Sequence, residues 1–391
     1  MTSTAELDIV VYGASGFTGK LVAEYLASRY GGGSGIRWGL AGRSVDKLAA
    51  VRDAIGAAAD TPLIAADASD RASLAAMVDR TKAVVTTVGP YQLYGTALVA
   101  ACAQAGTDYL DLCGEPAWMR QMIDAHHAAA QASGARIVFS CGFDSIPFEL
   151  GVFFLQETAK AQRGKPVSRV KGRVRKMRGT HSGGTAASMK ATIAAAARDP
   201  GVLALLKNPF ALTPGFAGPS QPLGLMPHYD ADVGGWVAPF VMAAINTRNV
   251  HRSNALMGHP WGTDFVYDEM MVAGTEAVAS AIAGAIQAMA GPGGPKPGEG
   301  PSKAEREAGF YDILFIGLGA DGNQVRVAVT GDMDPGYGST SKMIAESALC
   351  LVHDSVGTPG GIWTPGAAMG HRLVDRLVAH AGLTFQVESA S

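Results

Sequence analysis

The chain has 391 residues, 48% of them hydrophobic and 17% charged, with a formal net charge of -2. That is enough apolar material for about two domain cores, and the charge balance gives no basis for nucleic-acid binding. Four scattered cysteines, Cys102, Cys113, Cys141 and Cys350, lack metal-ligand or CxxC spacing, and no basic-then-apolar leader opens the chain, so a reducing cytoplasm is the expected setting.

From residue 8 to about 145, short apolar runs alternate with helical patterns, as in a parallel sheet with crossover helices. The predicted strands are DIVVYG, IRWGLAGR, TPLIAAD, AVVTTVG, DYLDLCG and RIVFSCG. Ala-rich helical stretches lie between them, and two of these, ALVAACAQAG and MIDAHHAAAQASG, close on Gly in the manner of a helix C-cap. After Pro147 the rhythm changes. VSRVKGRVRKMRG, TDFVYDEMM, YDILFIGLG and NQVRVAVTG read as longer strands, and residues 291–307 read as a Pro/Gly-rich surface loop. The expected fold class is α/β: a Rossmann-type doubly wound parallel sheet over residues 1–147, then a second α+β substrate domain with a mixed or antiparallel sheet over 148–338. Helices of 339–391 are expected to return to the first domain.

Residues 272–290, VAGTEAVASAIAGAIQAMA, come nearest to a membrane span. Glu276 leaves only the 14 residues Ala277 to Ala290 uncharged, short of the roughly 20 that a spanning helix needs. A buried or peripherally lipid-facing helix is expected, and its small residues permit close helix packing. Peripheral contact at the inner membrane face and a homodimer therefore both stay open. Arg169, Lys171, Arg173 and Arg175 alternate at strand spacing, which puts all four on one face. That face is either solvated or a docking row for an acidic partner.

In GASGFTG, Gly13, Gly16 and Gly19 follow the first strand and precede the helical KLVAEYL. A tight turn, close backbone approach to a pyrophosphate and helix N–H groups aimed at an anion all need such a stretch, so Ser15, Phe17 and Thr18 join the glycines as candidate cofactor residues. The second strand ends in Arg43 and Ser44, where an NAD-selective fold carries an acid; a cation there suits the 2'-phosphate of NADP(H). Asp67 ends the third strand, either near the adenine or as a helix N-cap. Gly89 and Pro90 end the fourth at the topological switch, where the nicotinamide half lies, with Tyr91 either pointing into the cleft or packed at a domain seam.

YGASGFTGKLVAEYLA, LAGRS, TTVGPYQLYGTALVAACAQAGTDYLDLCGE and CGFDSIPFELG resemble the saccharopine dehydrogenase-like oxidoreductases. More narrowly, SGGT, PFVMAAINTRNVHRSNAL, PKPGEGPS and TPGAAMG resemble the mycobacterial trans-acting enoyl reductases. The resemblance implies NADPH-dependent reduction of a carbon-carbon double bond in a polyketide or lipid acyl intermediate, carried by an acyl carrier domain of a polyketide synthase. The residues themselves also admit an imine or ketone acceptor, or a non-catalytic dinucleotide-bound, lipid-associated protein. From Gly179 to Pro295 there are five Lys or Arg and seven Met, a composition suited to an adaptable apolar pocket rather than to a substrate with several carboxylates. For the chemistry, Tyr91, Asp144, His181 and Ser182 are the candidate catalytic residues, with a helix N-cap the competing role for Asp144. HExxH and Cys/His signatures are absent, so metal catalysis is not expected.

Overall fold

The computed structural model describes residues 5–143, 145–179, 183–288, 299–319 and 322–388, with the backbone alone for 183–186. Strands and helices alternate through its first part: β1 (Leu7–Tyr12), α1 (Phe17–Tyr30), β2 (Trp38–Gly42), α2 (Val45–Ala54), β3 (Leu63–Ala65), α3 (Arg71–Val78), β4 (Thr81–Thr86), α4 (Tyr91–Tyr94), α5 (Thr96–Ala105), β5 (Asp108–Leu110), α6 (Pro116–Ser133) and β6 (Arg136–Val138). There follow α7 (Ile146–Arg163), β7 (Arg169–Arg178), α8 (Gly183–Arg198), α9 (Pro200–Lys207), β8 (His228–Asp230), β9 (Gly235–Pro239), α10 (Ala243–Leu256), β10 (Val266–Gly274), α11 (Glu276–Ala288) and α12 (Lys303–Glu307). The chain closes with β11 (Phe310–Leu318), β12 (Gln324–Gly331), α13 (Thr340–Leu349), β13 (Gly361–Trp363), α14 (Pro365–Met369), α15 (His371–His380) and β14 (Leu383–Glu388).

The first sheet has seven strands in the order β13-β6-β5-β4-β1-β2-β3, every pair parallel. This is the expected doubly wound Rossmann-type sheet, and its order reverses between β1 and β4, which opens a crevice at the strands' carboxyl ends. Alternation along the strands divides its core. Ile9, Val11, Ala83 and Val85 share one core with α1, α7, α13 and the second sheet, whereas Val10, Tyr12 and Val84 pack against α3, α5 and α6. The second sheet also has seven strands, ordered β14-β12-β11-β7-β10-β9-β8, and is mixed, with β7 and β10 parallel and the other pairs antiparallel.

The last segment does more than return helices to the first sheet. β13 adds a strand beside β6 and β14 adds one beside β12, so this segment enters both sheets. A run of three residues and a half-exposed edge strand carry too little alternation to be read as strands in advance. Of the expected surface loop, residues 291–298 lie outside the described residues, and the remainder contains α12, started by a capping box between Ser302 and Glu305. Helix α11 is 13 residues long and buries Ala279 alone. Among the described residues, no helix is long and apolar enough to cross a membrane.

The cationic row on β7 is not an open docking face. Arg173 is only 1% exposed and pairs with Asp230 at 2.8 Å and Asp268 at 2.9 Å. Lys171 pairs with Asp230 and Asp232, Arg169 with Asp268, and Arg175 with Asp312 and Glu388. Burial works to raise the pKa of Asp230, but Lys171 and Arg173 outweigh it and hold the carboxylate at about 2. The row is thus neutralised by acids on its own sheet and its edge strands, the cross-strand pairing of opposite charges that a sheet favours.

Three buried carboxyls behave in the opposite way. Burial raises Glu269 to about 8, and Glu149 and Asp111 to about 7, against hydrogen bonds that only partly offset it. Each is proton-bound in the folded chain over a range where the unfolded chain has lost its proton. Stability is therefore fully present below the unfolded carboxyl range and falls as pH rises toward 8. Glu269→Gln keeps the shape without the ionisation. Its unfolding midpoint in urea, measured from pH 5 to pH 8, is expected to fall less steeply than that of the wild type, and parallel curves would contradict this assignment.

Candidate cofactor and substrate site

The turn after β1 is shaped by what cannot be present. Gly13 has φ +89°, and a Cβ there would sit 2.7 Å from Val88 Cγ2 and 2.9 Å from Thr87 Oγ1. A Cβ on Gly19 would overlap the Gly13 carbonyl itself, so α1 rests directly on the turn. Gly16 is the N-cap of α1 and offers no side-chain cap, while its carbonyl accepts the Lys20 amide to begin the helix. The amides of Phe17, Thr18 and Gly19 therefore have no partner within the helix and lie where an anion is favoured. A bare backbone cradle at a helix N-terminus fits a pyrophosphate, and Ser15 is exposed beside it.

At the ends of β2 and β3 the expected residues take distinct places. Arg43 is exposed and, among the described residues, makes no hydrogen bond or ion pair. Ser44 caps α2 by accepting the Lys47 amide at 3.3 Å. Asp67 is not the cap of α3; that position belongs to Asp70, which accepts from the Ala72 and Ser73 amides. Asp67 instead accepts from the Ser69 amide and hydroxyl, which hold its carboxyl below the usual range. It lies with Arg43 around the buried Tyr12 hydroxyl, which burial pushes up to about 12. The exposed guanidinium at the end of β2 fits the 2'-phosphate that the sequence suggests.

From this turn a cavity of about 550 Å³ runs between the two sheets. Gly16, Phe17, Thr18, Thr87 and Gly89 line its near end. Met177, Met189, Ile193, Phe240 and Met242 make it apolar further in. Gly89 and Pro90 form the bend at the end of β4, with a cis peptide between them. Of the seven methionines noted in the sequence, Met189 and Met242 reach the cavity, Met270 is fully buried in the second sheet, and Met226 is exposed.

Tyr91 borders the cavity, but its hydroxyl is committed elsewhere. It donates to the Thr86 carbonyl at 3.2 Å and accepts the Leu112 amide at 3.0 Å, and the ring stacks on Trp118. Burial drives its pKa well above the ordinary tyrosine value. Of the two places the sequence left open for Tyr91, cleft or seam, its hydroxyl takes the second, as a brace joining the ends of β4 and β5. Asp144, His181 and Ser182 lie outside the described residues. Next to Asp144, Ser145 is fully buried at φ 145°, strained for a residue with a side chain, and held by Asn246 and Asn249 of α10.

Two organising features were missed in the sequence. Glu115 is buried and caps α4 from a distance: its carboxylate accepts the Tyr91 and Gln92 amides, both at 2.9 Å, and the Ser188 hydroxyl of α8 at 2.8 Å. The Gln92 side chain adds a bond to Thr192, so α8 is tied over the cavity mouth. The other feature is the loop before α13. Asp334 accepts the Tyr337 and Gly338 amides, winding Pro335–Ser339 into a π-helical turn whose Tyr337 meets Phe17 edge-on at 4.8 Å. Thr340 then accepts the Phe143 amide and donates to the Pro335 carbonyl. The sequence signal was present in DPGYGST, an acid three and four residues before Tyr337 and Gly338 in a Pro/Gly turn, but its partners lie far away in the chain.

Residues 9–138 match the family model described as the saccharopine dehydrogenase NADP binding domain. A Mycobacterium tuberculosis protein provisionally named a trans-acting enoyl reductase is 44% identical over 418 residues, covering 99% of each chain. The chain belongs to the trans-acting enoyl reductase family. A Mycobacterium ulcerans trans-acting enoyl reductase is 38% identical over 404 residues, covering 95% of this chain and 96% of that one. In fold, the chain is similar to saccharopine dehydrogenase (L-Glu forming) of Saccharomyces cerevisiae, with a TM-score of 0.57, 11% identity, and 98% and 100% of the two chains covered. This is an NADP-dependent oxidoreductase family, and the turn and guanidinium described above fit that cofactor.

If Arg43 meets the 2'-phosphate, cofactor preference reads it out. An exposed, charge-assisted contact to a phosphate stands at the low end of about 1.5–3 kcal/mol, so Arg43→Ala is expected to lose about tenfold in NADPH affinity and little in NADH affinity. Titration of both cofactors by protein fluorescence measures this, and a wild type with equal affinity for the two would contradict it.

Proposed function

We propose that this enzyme reduces the carbon-carbon double bond of an enoyl thioester, a polyketide or lipid intermediate presented by an acyl carrier domain. One observation carries the reading: a single cavity begins at the dinucleotide turn and continues into an apolar space lined by Met177, Met189, Phe240 and Met242. Adaptable thioether side chains suit an acyl chain and give no purchase on a multiply charged amino acid. The names of the full-length relatives agree with it.

In this reading the amides of Phe17, Thr18 and Gly19 hold the pyrophosphate, Arg43 the 2'-phosphate, and Gly89 lets the nicotinamide lie against the end of β4. NADPH, when bound, supplies the hydride. The chain's residues then do three things. The apolar wall excludes water from the acyl chain, the Glu115 brace keeps α4 and α8 closed over it, and donors at the cavity wall receive the charge that grows on the thioester oxygen. The π pair of the alkene moves toward that oxygen as the β-carbon gains hydride, and a proton then returns to the α-carbon.

The expected outcome is NADPH oxidation with 2-enoyl thioesters and none with a matched ketone or imine, followed by absorbance loss at fixed enzyme concentration. Carrier-bound enoyl substrate should be consumed faster than a short free thioester at equal concentration. Oxidation with the ketone or imine alone would overturn the reading.

A further inference from the structure

Helix α10 is unusual in what it buries. Asn246, Arg248, Asn249, His251, Arg252, Ser253 and Asn254 are all buried, so the helix carries two arginines into the protein. Neither makes a salt bridge to a carboxylate among the described residues, and burial alone pulls Arg248 down to about 10. An uncompensated buried cation is expensive unless something solvates it. For Arg252 the solvation is structural: its guanidinium donates to the Leu212 and Ile362 carbonyls, away from the cavity.

Arg248 differs in where it sits. It is 8% exposed and lines the cavity that starts at the dinucleotide turn, beside Met242, Ala244 and Ile245. Its terminal nitrogens donate to the carbonyls of Ala244 and of Leu206, at the C-terminal end of α9; its Nε, like that of Arg252, is buried with no partner among the described residues. A guanidinium has five N–H donors, of which these carbonyls take two, and Arg248 stands at the wall of a cavity whose other charged lining residue, among those described, is Glu299 and whose remaining wall is apolar side chains with Thr and Ser hydroxyls. Such a group recognises one concentrated negative charge.

We propose that Arg248 is the oxyanion-binding residue of the cavity, receiving the carbonyl oxygen of an acyl thioester or the carboxylate of a fatty acid. The assignment of the thioester rests on the enoyl reductase reading; the anion site itself does not. As hydride adds to the β-carbon, the alkene pair forms a Cα–C double bond, the carbonyl pair moves to oxygen, and the resulting enolate oxygen lies on Arg248. Protonation at the α-carbon restores the carbonyl and leaves the saturated thioester with NADP+.

Two probes separate the site from the reaction. Octanoate mimics the enolate charge and 1-octanol lacks it. The wild type with NADP+ bound is expected to bind octanoate at least tenfold more tightly than 1-octanol by calorimetry, and Arg248→Met should erase that preference while leaving NADP+ affinity within twofold. With a 2-octenoyl thioester, Arg248→Met should lower kcat about 100-fold with little change in KM, as for loss of one oxyanion donor, and Arg248→Lys should recover part of it. Arg252→Met, equally buried but outside the cavity, should lower the melting temperature and keep the octanoate preference. A wild type that binds both probes equally would overturn the proposal, whether or not the Met variant folds. Thioester turnover unaffected in Arg248→Met would overturn it while the enoyl reductase reading survived. An Arg248-dependent octanoate preference without enoyl turnover would support the anion site and sink that reading instead.

Discussion

The site depends on how closely α1 approaches the backbone of Gly13. With a side chain at Gly19 the helix would have to move off the carbonyl it rests on, and with one at Gly13 the turn would collide with Thr87 and Val88 at the end of β4. These contacts lock β1, β4 and α1 together at the point where the strand order reverses, so the first turn of α1 lines the same crevice as Thr87 and Gly89. The cavity begins there because backbone, and not side chains, forms its floor. Its roof is fixed separately, by the Glu115 carboxylate between α4 and α8 and by the Asp334 turn that lays Tyr337 against Phe17.

Charge is handled in two ways in the second sheet and its helices. On β7 every cation of the alternating row meets an acid, and Arg173 can be buried because two aspartates share it. On α10 the cations have carbonyl oxygens in place of acids, and Asn246 passes from the strained Ser145 to the proton-bound Glu269. The first arrangement neutralises and stiffens a sheet, since opposite charges at close range satisfy one another. The second leaves Arg248 at the cavity wall with no carboxylate bonded to it among the described residues, the arrangement on which the proposed anion site rests.

The first sheet was legible because its strands are apolar, short and separated by Gly-capped helices, so that period and punctuation agree. The glycine turn and Arg43 were legible for a related reason, as each performs its task through local sequence: three glycines between one strand and one helix, and one cation at a strand end. What escaped was non-local. Nothing near Tyr91 in sequence shows that Leu112 will occupy its hydroxyl, and nothing near Arg173 shows that Asp230 and Asp268 will close on it. Glu115 reads as one more acid before a Pro-started helix until its amide partners on α4 are in place. Strands β13 and β14 are too short or too exposed for alternation to mark them, and they are held by pairing with β6 and β12.

The central claim is that cofactor and acyl chain share one cavity, reached from the Gly13 turn. The most direct measurement is the fate of deuterium from NADPH labelled at the transferable C4 position, read by NMR of the product after turnover with a 2-enoyl thioester. The account predicts one deuterium, on the β-carbon of the saturated thioester, and unlabelled hydrogen from solvent on the α-carbon. A saturated product carrying no deuterium at the β-carbon, or a label that appears only on the carbonyl carbon of an added ketone, would contradict it.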